Sequence, residues 1–412
     1  MQAHDLHMAK GKNVVVIGAG IIGVTTAHAL ARTGWKVTML DAREGPALGT
    51  SLGNGRQLSY SHTDALANPR LLAKIPALAM GLDDAFQLSL RPEPALLEWL
   101  ARFVRNCTAA RFRGNTLACL SVAQRSRREL DLFLSENPID FQYSNPGKLV
   151  LFRSKTELAH AAQSMDLKVC NGTVQRAVGR DEALALEPAL GQCGHELVGA
   201  IYSPADGVGN CSLFATQLVK HTQREYGLNY LRNALVTSIS ERTDGMQIEL
   251  ADGNIFQTPM AVICTGHESA SLLRRLGHRI PVQPMKGYSF TAPRGPNPPT
   301  ISITDSAHRL VFTDIGDQVL VAGIADLGDG SAKLDEKRIE TVLNTARKAM
   351  PDAADYDAAT SFWTGHRPVT PNSQPITKRL GRSLAVNTGH GMLGWTMAMG
   401  SAAILAEELA QE

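Results

Sequence analysis

Gly18-Ala19-Gly20-Ile21-Ile22-Gly23 spaces its glycines so that a backbone can turn tightly, approach a pyrophosphate closely and pack a helix on a strand. Asp41 lies 21 residues after Gly20 and is followed by Ala42. A carboxylate at that distance can bond a ribose hydroxyl. Next comes a loop of small polar residues, Gly49-Thr50-Ser51-Leu52-Gly53-Asn54-Gly55. Its backbone donors suit a further stretch of the same ligand, and a plain surface loop fits the pattern equally. Near the other end, Asn387-Thr388-Gly389-His390-Gly391-Met392-Leu393-Gly394-Trp395-Thr396 runs into an alanine-rich helix. Free N–H groups and the helix dipole favour negative charge at such a start. A helix start without a ligand also fits, and His390, set between two glycines, also reads as a loop histidine. Arg367 stands in Gly365-His366-Arg367-Pro368. Its fork is the natural partner of a carboxylate, and a structural salt bridge is the competing reading.

The elements that must hold these residues can be read around them. Asn13 to Gly18 is a β-branched apolar run, the signature of a strand buried on both faces. Ile21 to Arg32 has helical spacing with Gly34 as its stop, and Trp35 to Leu40 is a second strand ending at Asp41. Strand, glycine turn, helix, strand and acid in that order make a dinucleotide-binding unit, with FAD and NAD both open at this point. Met260 to Cys264 is another buried strand, and Thr265-Gly266 leads from it into a helix from Ser269 to Leu276. This second turn can return the chain to the cofactor. Pro92 to Leu134 reads as amphipathic helix, with Arg102, Arg105, Arg111 and Arg113 between apolar positions. A solvated face and a patch for anionic lipid are its two readings. Gly147 to Arg153 is a strand, and Asp244-Gly245 marks a hairpin between Val236 to Glu241 and Gln247 to Leu250. Pro281 to Leu320 reads as antiparallel sheet, and Leu334 to Met350 as a helix.

Composition narrows the class further. Among 412 residues, 41 Lys and Arg balance 39 Asp and Glu for a net charge of +2, which argues against a nucleic-acid partner. Six cysteines without a Cys-x-x-Cys pair point to reduced thiols rather than a zinc site or a disulfide framework. No stretch approaches the ~18 apolar residues of a spanning helix, and the first dozen residues lack a signal-peptide core. The expectation is a cytoplasmic enzyme, with peripheral contact at the cytoplasmic face of a membrane as an option.

The whole chain from about Asn13 to Leu409 resembles the FAD-dependent D-amino acid oxidase superfamily, and more closely the small subunit of the D-amino acid dehydrogenase family. The resemblance rests on Val16 to Val24, Arg105-Asn-Cys-Thr-Ala-Ala-Arg111, Pro284-Met-Lys-Gly-Tyr288, Phe362-Trp-Thr-Gly-His-Arg-Pro368 and Asn387 to Thr396. It implies an α/β fold: a Rossmann-like FAD domain from residues 12–90, 155–280 and 365–412, with an inserted antiparallel-sheet substrate domain from 91–154 and 281–364. It implies FAD as cofactor and an amino acid as substrate, oxidised through an imine to a 2-oxo acid. Hydride transfer from Cα and electron delivery to a quinone or other non-oxygen acceptor complete the expected reaction.

The FAD contacts implied by the resemblance, together with their neighbours in the same motifs, fall on Gly18, Gly20, Ile22 and Gly23, then Asp41 and Ala42, then Ser51, Asn54 and Gly55. Val236, Thr265 and Gly266 follow, and last Gly391, Met392, Leu393, Gly394 and Thr396. Arg367 is the expected substrate-carboxylate clamp, and Tyr288 is expected beside it near the flavin. Three segments depart from the family pattern: Ser59-Tyr60-Ser61-His62-Thr63-Asp64, Val369-Thr-Pro-Asn372-Ser373-Gln374 and Thr313-Asp314-Ile315. All are on the substrate side, so Tyr60, His62 and Asp64 become candidates for substrate contact. D-proline or D-hydroxyproline is an alternative substrate. The other readings are an oxygen-using secondary-amine or glycine-type oxidase, a nicotinamide dehydrogenase and a non-catalytic flavin-binding subunit.

Overall fold

The structure, a computed structural model, describes residues 6–7, 12–72, 85–88 and 93–411. Two sheets organise it. The first has six strands in the order Asn229–Leu231, Lys36–Leu40, Asn13–Ile17, Met260–Ile263, Leu384–Thr388 and Ile376–Arg379, and only the last pair is antiparallel. All five residues of Asn13–Ile17 are buried, because successive side chains point to opposite faces and both faces are covered. Val14 and Val16 pack beneath Ile21–Arg32, Cys211–Tyr226 and Gly394–Ala410. Val15 and Ile17 meet Ile239, Ile248 and Phe256 on the other face, from a further small sheet of Leu6–His7, Ile255–Thr258, Gly245–Leu250 and Val236–Arg242.

The second sheet is larger. Its strands run Thr360–Val369, Gln283–Pro293, Gln318–Leu327, Leu310–Asp314, Ser302–Asp305, Lys148–Phe152, Gly199–Ser203 and Arg176–Gly179, and Phe86–Leu88 adds beside Gln318–Leu327. Pairing is antiparallel except at Lys148–Phe152 with Ser302–Asp305 and at Phe86–Leu88. The two-residue alternation of a strand gives this sheet two different faces. Leu149, Leu151, Tyr288 and Phe290 enter an outer core closed by helix Glu336–Ala349. Lys148, Val150, Phe152, Met285 and Arg367 face a large cavity between the two sheets.

The expected α/β class with an added sheet is what forms, but the partition along the chain differs. Arg176–Gly179 and Gly199–Ser203, assigned from sequence to the FAD unit, extend the large sheet. Helix Ala109–Glu136, assigned to the substrate unit, crosses the C-terminal helix, where a Cβ at Gly400 would overlap the Val122 carbonyl. The strand Thr360–Val369 lies wholly in the large sheet and spans the boundary expected at residue 365. The helical stretch read over Pro92 to Leu134 is two helices, Pro94–Asn106 and Ala109–Glu136, and the Thr108 side chain caps the second.

Candidate active site

The first glycine motif builds a cradle from backbone. Gly18 has φ 99°, a left-handed conformation that favours glycine. A Cβ there would also stand 2.7 Å from the Cys264 carbonyl oxygen of the neighbouring strand. A Cβ at Gly23 would overlap the Gly18 carbonyl, so the helix can dock on the turn only as glycine. Gly20 is the N-cap of Ile21–Arg32 and offers no side-chain cap. The Ile21 N–H donates to Ser51 Oγ at 3.0 Å. Asp41 accepts the Ala19 N–H at 2.6 Å on one carboxylate oxygen and the Arg43 N–H at 2.8 Å on the other. Each oxygen keeps a lone pair for a hydroxyl.

The remaining segments close around the same space. Gly53 lies so tightly against the Trp363 ring that a Cβ would overlap it, and Gly55 backs onto Val311 and Ala322 of the large sheet. Asn54 bonds its own loop, from its side-chain amide to the Ser51 carbonyl and from the Arg56 N–H to its Oδ1. At the far end, Gly391–Leu393 forms one turn before Gly394–Ala410, and Thr396 Oγ1 accepts the Ser59 N–H at 2.9 Å. The cavity so enclosed measures about 1580 Å³. That exceeds the ~300–1,000 Å³ of an ordinary small-ligand pocket and suits a dinucleotide together with a substrate. A glycine turn that packs without side chains, a carboxylate with lone pairs left for a hydroxyl and a cavity of this size fit FAD.

Of the residues expected to contact the cofactor, Gly18, Gly20, Ile22, Asp41, Ala42, Ser51, Asn54, Gly55, Val236, Thr265 and Gly266 line this cavity. So do Gly391, Met392, Leu393, Gly394 and Thr396, while Gly23 sits behind the wall against Gly18. His390 lines it too, but its Nε2 is 2.9 Å from Ser401 Oγ and burial draws its pKa down to about 3, so it is a neutral ring tied to the C-terminal helix.

Arg367 reaches the cavity from the large sheet. Its guanidinium lies over Gly287, where a Cβ would stand 2.5 Å from Cζ, and Nη1 donates to the Ile324 carbonyl at 3.2 Å. Ile324 has φ 38°, an unusual conformation for a β-branched residue. The strand is irregular here, since its pairing with Gln283–Pro293 shifts register between Lys286 and Tyr288. Burial draws the Arg367 pKa down to about 10 against the pull of Asp326. Among the described residues no carboxylate forms an ion pair with Arg367. Asp326 is instead bonded by Arg338 Nη2 at 2.6 Å, Arg338 Nε at 3.1 Å and the Tyr288 hydroxyl at 2.9 Å.

That last bond corrects one expectation. Tyr288 does not face the cavity, because it follows Gly287 on a strand and its side chain leaves from the opposite face into the outer core. Tyr60 is corrected likewise: it packs into the core of the FAD side, with its ring 5.9 Å from the Arg127 guanidinium, and is absent from the cavity wall.

His62 and Asp64 do line the cavity, within a cluster whose lysines sequence reading missed. Lys168 Nζ stands 2.5 Å from Asp64 Oδ2, the Ser164 hydroxyl bonds Oδ1, and His62 Nδ1 is 3.4 Å away. Burial pushes the Asp64 carboxyl up, but Lys168, His62 and the two hydrogen bonds outweigh it and hold it well below the carboxylate range. Burial, with Lys148 and Lys168 adding to it against Asp64, draws His62 down to about 3, so its ring is neutral. Lys148 donates to Gln57 Oε1 at 2.9 Å and Ser59 Oγ at 2.8 Å, and burial draws it down to about 8. One signal was available: Lys148 is the single charge in Lys-Leu-Val-Leu-Phe, a strand buried throughout.

Arg105, Arg111 and Arg113 are exposed, and Arg102 pairs with Glu98 on its own helix at 2.6 Å. Among the described residues no helix is long and apolar enough to cross a membrane, and no group of three metal-ligating side chains occurs.

Comparison with known proteins agrees with this geometry. The family described as FAD dependent oxidoreductase matches residues 13–408. The chain is 37% identical over 400 residues to the D-amino acid dehydrogenase of Paramagnetospirillum magneticum, covering 96% of this chain and 94% of the other. It is 36% identical over 406 residues to D-amino acid dehydrogenase 2 of Pseudomonas aeruginosa, covering 97% and 95%. Glycine oxidase from Geobacillus kaustophilus shares the fold with a TM-score of 0.74 at 18% identity, covering 97% of this chain and 94% of that one. L-proline dehydrogenase from P. horikoshii does so with 0.74 at 19%, covering 97% and 93%. A cradle suited to FAD, a family match across almost the whole chain and relatives aligned nearly end to end make this protein a member of the FAD dependent oxidoreductase family.

Proposed function

We propose that the protein oxidises a D-amino acid to its imine, which water hydrolyses to a 2-oxo acid and ammonia, and that the electrons leave to a quinone or another non-oxygen acceptor. The observation that carries this reading is Arg367, a half-buried guanidinium on the cavity face that forms no ion pair with a carboxylate among the described residues. An arginine so placed favours an anion, and its fork matches a carboxylate. The relatives named D-amino acid dehydrogenase supply the substrate class.

FAD, when bound, supplies the two-electron acceptor. The residues of the chain position and insulate. Arg367 binds the α-carboxylate, and its bond to the Ile324 carbonyl fixes the angle of the fork. Met285, Ile324 and Trp363 give the cavity an apolar wall that excludes water from around the substrate Cα. The start of Gly394–Ala410 presents N–H groups that favour negative charge beside Gly391 and Leu393. His62 is neutral, so it adds no charge to repel the substrate amine. We assign the FAD contacts to the lining residues from Gly18 to Thr396 named above, and substrate contact to Arg367 and His62.

The test is anaerobic bleaching of the flavin band by a panel of D- and L-amino acids, D-proline and D-hydroxyproline included. D-amino acids are expected to bleach the protein and L-amino acids are not. Arg367→Leu is expected to stay yellow and remain unbleached. A variant that reacts as the parent does would sink the clamp, and hydrogen peroxide formed in step with turnover would replace the acceptor with oxygen.

A further inference from the structure

Asp326 and Ile324 lie two residues apart on the strand Gln318–Leu327, and they serve its two sides differently. The Ile324 carbonyl holds Arg367 at the cavity face. Asp326 is buried behind the strand, where helix Glu336–Ala349 brings Arg338 onto both of its oxygens. Tyr288 completes the set from the neighbouring strand. Arg338 is itself buried and does not line the cavity.

We infer that Arg338 is a positioning residue for substrate capture: by neutralising Asp326 behind the strand, it leaves the Arg367 guanidinium with a net positive field toward an incoming carboxylate. The inference rests on the reading of Arg367 as the carboxylate clamp. Arg338 and Asp326 are buried as a pair behind the strand, and Arg367 is half-buried with its guanidinium toward the cavity. Asp326 is near enough to act on Arg367 through the strand, since its charge opposes the effect of burial there. Without Arg338, the aspartate would cancel the arginine that the substrate needs. Buried charges of this kind act over distance because little water screens them.

A purely structural role and this electrostatic role give different signs. Both Arg338→Met and Asp326→Asn break a buried pair, and both are expected to lower the melting temperature. Their effects on anion binding are expected to be opposite. The experiment uses the FAD-loaded protein, with propionate as carboxylate probe and propionamide as its neutral control, both read by titration calorimetry. Arg338→Met is expected to weaken propionate and raise substrate KM about tenfold, the effect of one unit charge at ~10 Å in a medium of effective dielectric ~20. Its kcat is expected to change little. Asp326→Asn is expected to tighten propionate, Arg338→Lys to stay near the parent, and propionamide to be unaffected throughout. Propionate weakened by both Arg338→Met and Asp326→Asn, or propionamide following propionate, would overturn the inference. Should Arg338→Met not fold, Asp326→Asn and Arg338→Lys decide, and weaker propionate binding by Asp326→Asn overturns it. Arg367→Leu separates the two levels: if it leaves propionate binding intact, the clamp itself is wrong.

Discussion

Gly287→Ala is the smallest change that tests how Arg367 is held. The added Cβ would lie 2.5 Å from Arg367 Cζ, against the ~3.5–4.0 Å at which carbon atoms normally rest. The guanidinium must therefore retreat by roughly 1 Å. The clash is with the far end of a flexible side chain rather than with backbone, so the strand need not move. Gly287 is absent from the residues with positive φ, and alanine within a strand or helix is otherwise favoured over glycine by about 0.5–1 kcal/mol. Function fares worse. Losing one of two charge-assisted bonds to a carboxylate costs about 1.5–3 kcal/mol, or roughly 10- to 150-fold. The expected variant is as stable as the parent, retains its flavin and has kcat/KM lower by about 100-fold, in line with the usual cost of a ~1 Å misplacement. Stopped-flow reduction of the flavin under anaerobic conditions, beside a thermal melt, reads both quantities. Unchanged kinetics would refute the claim that the guanidinium must lie on the Gly287 backbone to work. A large loss of stability would refute the claim that only the side chain yields.

Gly23→Ala places its Cβ on the Gly18 carbonyl, a backbone atom that cannot step aside, so the variant is expected to lose FAD, read as the ratio of flavin to protein absorbance after purification. His28 and His390 are buried and held near 3, far below the ~6.5 of an unfolded chain. The unfolded state therefore binds more protons below about pH 6.5. Stability from these two rings is complete above that pH and falls toward pH 3, by up to about 1.4 kcal/mol per pH unit for each histidine. Denaturant melts from pH 7 to 5 are expected to show the loss, and a midpoint that does not move would contradict the assignment of neutral rings.

Local signals were legible where the chain obeys short-range rules. The strand, turn and helix around Gly18 to Gly23 are set by residues within reach of one another, as is the glycine-rich start of the C-terminal helix. The side of a strand that a residue faces is a different matter. Tyr288 stands next to Gly287, and its expected place at the flavin fails by one position in a two-residue period. The irregularity at Ile324 that turns a carbonyl toward Arg367 has no signature in Gly-Ile-Ala-Asp. The charge cluster was half visible for a similar reason. His62 and Asp64 are neighbours in sequence, whereas Lys148 and Lys168 join them from a strand and a helix far along the chain. Membership of Arg176–Gly179 and Gly199–Ser203 in the large sheet depends on pairing that composition does not encode.

The loop from Ser51 to Asp64 touches everything. Ser51 bonds the start of the first helix, Gly53 and Gly55 accept hydroxyls of Ser289 and Thr313 on the large sheet, and Gln57 bonds Ser302. Ser59 joins Lys148 to Thr396, and His62 with Asp64 ends the loop in the cavity wall. One continuous stretch thus serves the first glycine turn, the seam between the sheets and the part of the cavity proposed above for the substrate. Variation in substrate preference along this stretch would be coupled to cofactor affinity and to assembly of the two halves. Selection or design that seeks a new amino acid meets less resistance on the facing strands, at Val150, Phe152 or Met285, whose side chains line the chamber and pack in small apolar clusters, with Met165 and Ile201 for the first two and with Trp99 and Phe103 for the third.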